Sequence, residues 1–151
     1  MFVFVYGTLR NACKKYRKFL DFQVPDVLDK YAVDRGLATL SGYHMWDLGS
    51  YPGIFPVAPK EENVVTGELF SFEADVSDLL LSTLDDYEGC HPSVALPHEY
   101  ERVTEIVFSS EEQEYVNSWI YRLTTPPPST YPVIVSGDYS IFLSSKYQLR
   151  T

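Results

Sequence analysis

The chain has 151 residues, enough for one domain with a real core, and its 45% apolar and 22% charged content excludes disorder as the default. Lys and Arg number 12 against 21 Asp and Glu, a net charge of −9, which argues against nucleic acid and against adhesion to an anionic membrane, since both need a basic patch. Cys13 and Cys90 make no disulfide framework, the short apolar start lacks a basic flank, and no run reaches the roughly 20 apolar residues of a membrane helix, so a reducing, cytoplasmic location is expected.

Phe2 to Tyr6 is aromatic and β-branched throughout and suits a strand buried on both sides, stopped by Gly7. From Asn11 to Phe22 the spacing predicts an amphipathic helix capped by Asn11. Ala12, Cys13, Tyr16, Phe19 and Leu20 form its apolar side, and Lys14, Lys15, Arg17 and Lys18 a solvated one. Val24 to Val33 reads as a connection and Gly36 to Trp46 as a strand. Leu48 to Gly53 is a turn-rich loop, and Ile54 to Ala58 a short strand that Pro56 confines to an edge or a bulge. After a polar tip at Lys60 to Asn63, Val64 to Phe72 is a strand with Gly67 at a bulge or close approach.

The clearest helix is Asp75 to Tyr87, with Asp75 placed to cap it. Leu79, Leu80, Thr83, Leu84 and Tyr87 trace its apolar stripe, and Gly89 fits the stop position. Cys90 to His98 is a loop holding two prolines, followed by a hairpin of Glu99 to Ser109 and Glu114 to Leu123. Tyr115, Asn117, Trp119, Tyr121 and Leu123 share one strand face, expected to pack the core, with Tyr121 suited to a polar role near the strand end. Pro126 to Pro128 is a rigid spacer, and Ile134 to Tyr147 a closing turn and short helix with Ser136-Gly137-Asp138 at its mouth. Strands outnumber helices and the hairpins are antiparallel. The order predicts an α+β domain over residues 1–151, its mixed, largely antiparallel sheet curled into a small β-barrel with flanking helices.

Two places suit chemistry. Glu88 stands at a helix end, where the dipole gives a carboxylate no help, among Leu and Tyr residues that would desolvate it. A carboxyl pushed toward neutrality can both take and give a proton, although a surface acid is the simpler reading of that position alone. The Tyr6-Gly7-Thr8-Leu9 turn can offer successive N–H groups to a carboxylate or an oxyanion, aided by the positive end of a helix opening at Asn11. On its own the motif is weak, and an ordinary strand-to-helix turn is the simpler reading. No phosphate-binding glycine fingerprint occurs. Cys13, Cys90, His44, His91 and His98 form no zinc spacing, so no metal or other cofactor is expected. Cys13, on the apolar side of its helix, reads as inert core.

Taken together, Val5-Tyr6-Gly7-Thr8-Leu9-Arg10, Tyr51-Pro52-Gly53 with Gly67-Glu68-Leu69-Phe70, Leu84-Asp85-Asp86-Tyr87-Glu88-Gly89 with Tyr100-Glu101-Arg102, and Trp119-Ile120-Tyr121 with Ser136-Gly137-Asp138-Tyr139 form an ordered set. In that order the chain resembles the γ-glutamylcyclotransferase-like family, which includes γ-glutamylamine cyclotransferases and the plant avirulence-induced proteins. The resemblance implies that family's small barrel, and cleavage of a γ-glutamyl amide to release 5-oxoproline and a free amine without a cofactor. It implies Glu88 as the catalytic acid–base, Tyr6, Gly7, Thr8 and Leu9 as the loop holding the γ-glutamyl group, and Tyr121 as an aromatic position near the site. The implied partner is a small molecule carrying a γ-glutamyl group; no nucleic acid or membrane partner is implied. Cys90 to Glu99 is long for the small-amine members and should border the leaving group, so the amine's identity does not carry over. The rival readings are a non-catalytic metabolite-binding module on the same barrel and an interaction protein using Lys14 to Lys18.

Overall fold

A computed structural model describes residues 1–148; the domain expected over 1–151 thus includes 149–151, which lie outside the described residues. In chain order the elements are β1 (Phe2–Val5), a 3₁₀ helix (Asn11–Phe19), α1 (Val27–Tyr31), β2 (Val33–Ser41), β3 (Tyr43–Asp47), β4 (Pro52–Pro56), β5 (Val64–Ser71), a 3₁₀ turn (Ala74–Val76), α2 (Ser77–Tyr87), β6 (Tyr100–Ser109), β7 (Glu114–Leu123) and α3 (Tyr139–Tyr147). Among the described residues no helix is long and apolar enough to cross a membrane.

Five strands close a barrel in the order β1-β5-β2-β6-β7, and β3 with β4 makes a separate two-stranded sheet. Most pairs are antiparallel, but β1 runs parallel to β7, with Val3 opposite Trp119. That closure brings the carboxyl ends of β1 and β7 to the same end of the barrel.

The alternation of β1 divides the core in two. Phe4 joins Leu40, Val65, Leu69, Val107 and Ile120 in a cluster that extends to β3, β4 and α3. Val3 and Val5 face the other way and pack with Phe70, Tyr121 and Val27 and Leu28 of α1, and with Leu80 and Leu84 of α2. This second cluster fixes α2 against the barrel beside the paired carboxyl ends of β1 and β7.

Several expectations from the sequence need correction. The segment after Arg10 is a 3₁₀ helix ending at Phe19, not an α-helix to Phe22. At three residues per turn Cys13, Tyr16 and Phe19 stack on one face, where Phe19 lies flat on Tyr147 with ring centres 4.0 Å apart. Asn11 does not cap it: the Asn11 and Ala12 N–H groups donate to the Glu68 carboxylate at 2.7 and 3.2 Å. Asp75 makes no capping bond to α2 either, because a 3₁₀ turn precedes that helix. The expected connection at Val24 to Val33 contains α1, and the strand expected from Gly36 to Trp46 is two strands broken at Gly42, whose φ is +87°. On β7 the face of Tyr115 and Asn117 is exposed, and Ser118 and Ile120 of the opposite face are buried instead. Tyr121 and Leu123 are buried as expected.

Candidate active site

The end of α2 aims Glu88. The buried positions of this helix are Leu80, Leu81, Leu84 and Asp85, while Leu79 is 53% exposed, so the stripe is turned one residue from the expected one. Continued at helical spacing, the observed stripe arrives at Glu88. The chain then leaves in a Schellman turn: Gly89 N–H donates to the Asp86 carbonyl at 3.1 Å and Cys90 N–H to the Asp85 carbonyl at 2.9 Å, with Gly89 at φ +72°. Glu88 is thereby the last residue before a fixed reversal, and its side chain is set by the helix.

The loop after β1 is fixed from behind. Gly7 packs so tightly on Pro52 that a Cβ there would lie 2.9 Å from Pro52 Cγ. Its carbonyl accepts from Arg10 N–H at 3.0 Å. The Thr8 carbonyl accepts from Arg17 Nε and Nη2 at 3.2 and 3.0 Å. Peptide planarity turns the Thr8 and Leu9 N–H groups away from those partners. Among the described residues the N–H groups of Gly7, Thr8 and Leu9 donate to no protein acceptor, although Thr8 and Leu9 are buried. Orphaned buried donors are rare in folded proteins. The first N–H groups of the 3₁₀ helix, expected to reinforce this field, are instead taken by Glu68.

Tyr6, Gly7, Thr8, Leu9, Glu88 and Tyr121 line one cavity of about 390 Å³, a volume suited to a metabolite. Its walls are largely aromatic. Each wall tyrosine hydroxyl is already bonded to protein: Tyr6 donates to the Tyr121 carbonyl at 2.7 Å, Tyr100 to the Pro52 carbonyl at 2.7 Å, and Tyr51 to Glu99 Oε1 at 2.8 Å. The Tyr87 hydroxyl shares a 2.6 Å bond with the Thr8 hydroxyl. Burial, foremost, raises the pKa of all these phenols and keeps them neutral.

The Glu88 carboxyl stands apart. Among the described residues it makes no hydrogen bond or ion pair. The residue keeps intermediate exposure, but protein encloses the carboxyl itself, and it is the enclosure that governs its proton. Burial first, and then the charge of Glu99, push its pKa up to about 8. A carboxyl in that range exchanges a proton at neutral pH in either direction.

Tyr121 lines the cavity, and its hydroxyl donates to Asp85 Oδ1 at 2.6 Å. Arg102 closes on the same carboxylate with Nε at 2.7 Å and Nη2 at 3.2 Å, and lies 4.4 Å over the Trp119 ring. The polar role expected of the Tyr121 hydroxyl is therefore toward α2. Glu99 entered the sequence reading of the site only as the end of the segment expected to border the leaving group, and Arg17 escaped it. The one looked like the start of a strand and the other like part of a solvated basic face, and only the tertiary fold brings them to the cavity and its loop. Burial raises the thiol pKa of Cys13 to about 12 and of Cys90 to about 11, which removes both as nucleophiles. Among the described residues no group of three His, Cys, Asp or Glu side chains is arranged to hold a metal.

Solved structures share this fold. An uncharacterized protein from Pyrococcus horikoshii aligns with a TM-score of 0.64 at 16% identity, covering 100% of this chain and 99% of that one. A protein from Arabidopsis thaliana aligns with a TM-score of 0.59 at 24% identity, over 97% of this chain and 76% of that one. A structure described as a gamma-glutamyl cyclotransferase aligns with a TM-score of 0.54 at 14% identity, over 88% and 69%. No curated protein matches the chain. The family model for gamma-glutamyl cyclotransferase, AIG2-like proteins matches residues 3–141, nearly the whole sequence. The chain belongs to the gamma-glutamyl cyclotransferase, AIG2-like family.

Proposed function

We propose that this protein cleaves a γ-glutamyl amide by intramolecular cyclisation, releasing 5-oxoproline and the free amine, with Glu88 as the proton shuttle. The observation that carries the reading is one cavity lined by both an unpartnered carboxyl and a turn of unpartnered N–H groups.

The chemistry asks for little else. The substrate α-amine is protonated at neutral pH and cannot attack. Glu88 as carboxylate takes that proton, and the freed nitrogen adds to the γ-carbonyl carbon to close a five-membered ring. The carbonyl pair moves onto oxygen. Glu88 gives its proton to the departing nitrogen as the old C–N bond breaks, then takes the remaining extra proton of the ring nitrogen, which leaves with the amine as its ammonium. The N–H groups of Gly7, Thr8 and Leu9 hold the substrate carboxylate or the oxyanion, and the aromatic walls hold the chain folded for attack. Tyr6 and Tyr121 build the wall rather than exchange protons. The two unpaired cysteines support a cytoplasmic setting.

The test is release of 5-oxoproline from γ-glutamyl amides. Glu88→Gln should lower kcat by roughly 10²–10⁴-fold, the usual share of a positioned acid–base group. Full activity in Glu88→Gln would remove Glu88 from its role. Saturable binding by the wild-type protein with no turnover would leave the binding-module reading in its place.

A further inference from the structure

Among the described residues the cavity is lined by two carboxylates and by no Lys, Arg or His. This asymmetry has to be met by the ligand. On the reading above, the γ-glutamyl half brings one ammonium and one carboxylate. Its carboxylate finds the N–H groups of the Gly7 to Leu9 turn, which among the described residues donate to no protein acceptor, and its ammonium finds Glu88. That pairing leaves Glu99 without a counterpart.

Glu99 is held in place as a recognition group would be. It precedes Tyr100, the first residue of β6, whose hydroxyl is tied to the Pro52 carbonyl. Its carbonyl accepts from Thr124 N–H at 2.9 Å. Its Oε1 accepts from Tyr51, and among the described residues Oε2 accepts nothing. Tyr51 and Tyr100 line the same cavity, with their ring centres 6.2 Å apart. A carboxylate oxygen that accepts nothing, in a cavity these tyrosines also line, is suited to an ammonium group, by charge and by cation–π attraction together. Among the described residues no cation is paired with it. Arg17 is bonded to the Thr8 carbonyl behind the loop, and the His98 ring is bonded to the Val94 carbonyl and does not line the cavity.

Resting on the proposed cyclotransferase reading, we infer that Glu99 determines specificity, selecting γ-glutamyl amides whose leaving amine carries a second, positively charged amino group and turning away those ending in a carboxylate. An amino-acid or peptide leaving group would set its own carboxylate against Glu99 with no cation to offset it. A diamine or polyamine would meet a carboxylate and an aromatic wall instead.

The experiment uses three γ-glutamyl amides of equal reach, made with butanediamine, butylamine and aminobutanoate. Each is measured for 5-oxoproline release and, by calorimetry, for binding, with wild type and Glu99→Gln. Glu99 is exposed, so the variant keeps its fold. Wild type should favour the diamine over the butylamine compound by about ten-fold in kcat/KM, with the aminobutanoate compound last. That ratio should fall toward unity in Glu99→Gln. All three substrates share the same base, so any effect of the variant on Glu88 cancels in the ratio. An unchanged ratio, a preference for the aminobutanoate compound, or an equal loss on all three, which would assign Glu99 to the common α-ammonium, overturns the inference. No 5-oxoproline from any compound would sink the cyclotransferase reading instead. The order of affinities, and its loss in Glu99→Gln, would then decide the inference on Glu99, and absence of any such order would overturn it.

Discussion

Glu68 and Glu88 are both enclosed glutamates near the first loop, and they are treated in opposite ways. Glu68 accepts from Arg10 Nε at 2.9 Å and from the N–H groups of Asn11 and Ala12. Arg10, 2% exposed, reaches on with Nη1 to Asp138 at 2.9 Å, and Asp138 also caps α3 through Ser140 and Ile141. Burial opposes ionisation of Asp138, but the Ser140 hydrogen bond and the Arg10 guanidinium outweigh it and hold the pKa below the ordinary value. This cluster joins the segment after β1, strand β5 and the start of α3 through one guanidinium shared by two carboxylates, each of which also accepts from backbone N–H groups. Among the described residues Glu88 has no pair at all. Asp85, one helical turn earlier, is claimed by Tyr121 and Arg102, so the contrast recurs within α2. A satisfied buried charge specifies position, whereas an unsatisfied one retains the capacity to react, at a cost in stability.

The strongest way to break this comparison is to unpair the paired side. Arg10→Met leaves Asp138 and Glu68 enclosed with fewer donors, and should cost about 3–5 kcal/mol in urea unfolding. A loss under ~1 kcal/mol would mean that the cluster is no scaffold. The cluster should also weaken in acid. Asp138 has a depressed pKa, so its contribution is present above the ordinary carboxylate value and is lost as pH falls through the folded one.

Glu88 should show the reverse sign. Its folded pKa of about 8 lies above the ordinary 4.5, so between those values the folded protein binds a proton that the unfolded chain has lost. Stability therefore falls as pH rises through that window, at roughly 1.4 kcal/mol per pH unit at most and less where the cavity admits water. Glu88→Gln carries no such charge. It should be more stable than wild type by about 2–4 kcal/mol near pH 9 and nearly equal to it near pH 5. Equal unfolding curves at both pH values would show that Glu88 ionises at no cost.

A smaller effect probes the loop that faces Glu88. Arg17 supports the Thr8 carbonyl from behind, and hydrogen bonds to charged groups contribute about 1.5–3 kcal/mol in protected settings. Arg17→Met should raise KM by about ten-fold with a smaller change in kcat, because it loosens the N–H turn and leaves the base untouched. A loss confined to kcat would contradict a holding role for the turn.

Local pattern made much of this legible. The apolar β1 run, the turn at Gly7, the β6–β7 hairpin and the helix stopping at Gly89 are all written in neighbouring residues, whereas the meeting of Tyr6 to Leu9 with Glu88 is implied only by the family resemblance of the ordered motifs. What escaped was tertiary. The stripe of α2 turned by one residue because Leu81 found the core and Leu79 did not, and that rotation carries Glu88 inward. Asn11 lost its capping role to Glu68, a residue 57 positions away that no local window contains. Arg17 and Glu99 looked like surface charges because what distinguishes them is the carbonyl and the tyrosine they meet across the fold.

The finest test weighs the two causes that act on Glu88. Burial is the larger and the like charge of Glu99 the smaller. If the base must be ionised, kcat/KM in wild type rises with pH along a limb centred near 8. Removing the Glu99 charge in Glu99→Gln should move that limb to lower pH but leave it well above the ordinary carboxylate range, since the enclosure is intact. Measured on the butylamine amide, the substrate ammonium titrates identically in both proteins, so the difference belongs to the enzyme. A limb that stays where it was would assign the whole perturbation to burial, and one that falls to the ordinary range would assign it to charge. Either result would redraw the contrast with Glu68, because it would show whether Glu88 is kept reactive by the absence of partners or by the presence of a rival.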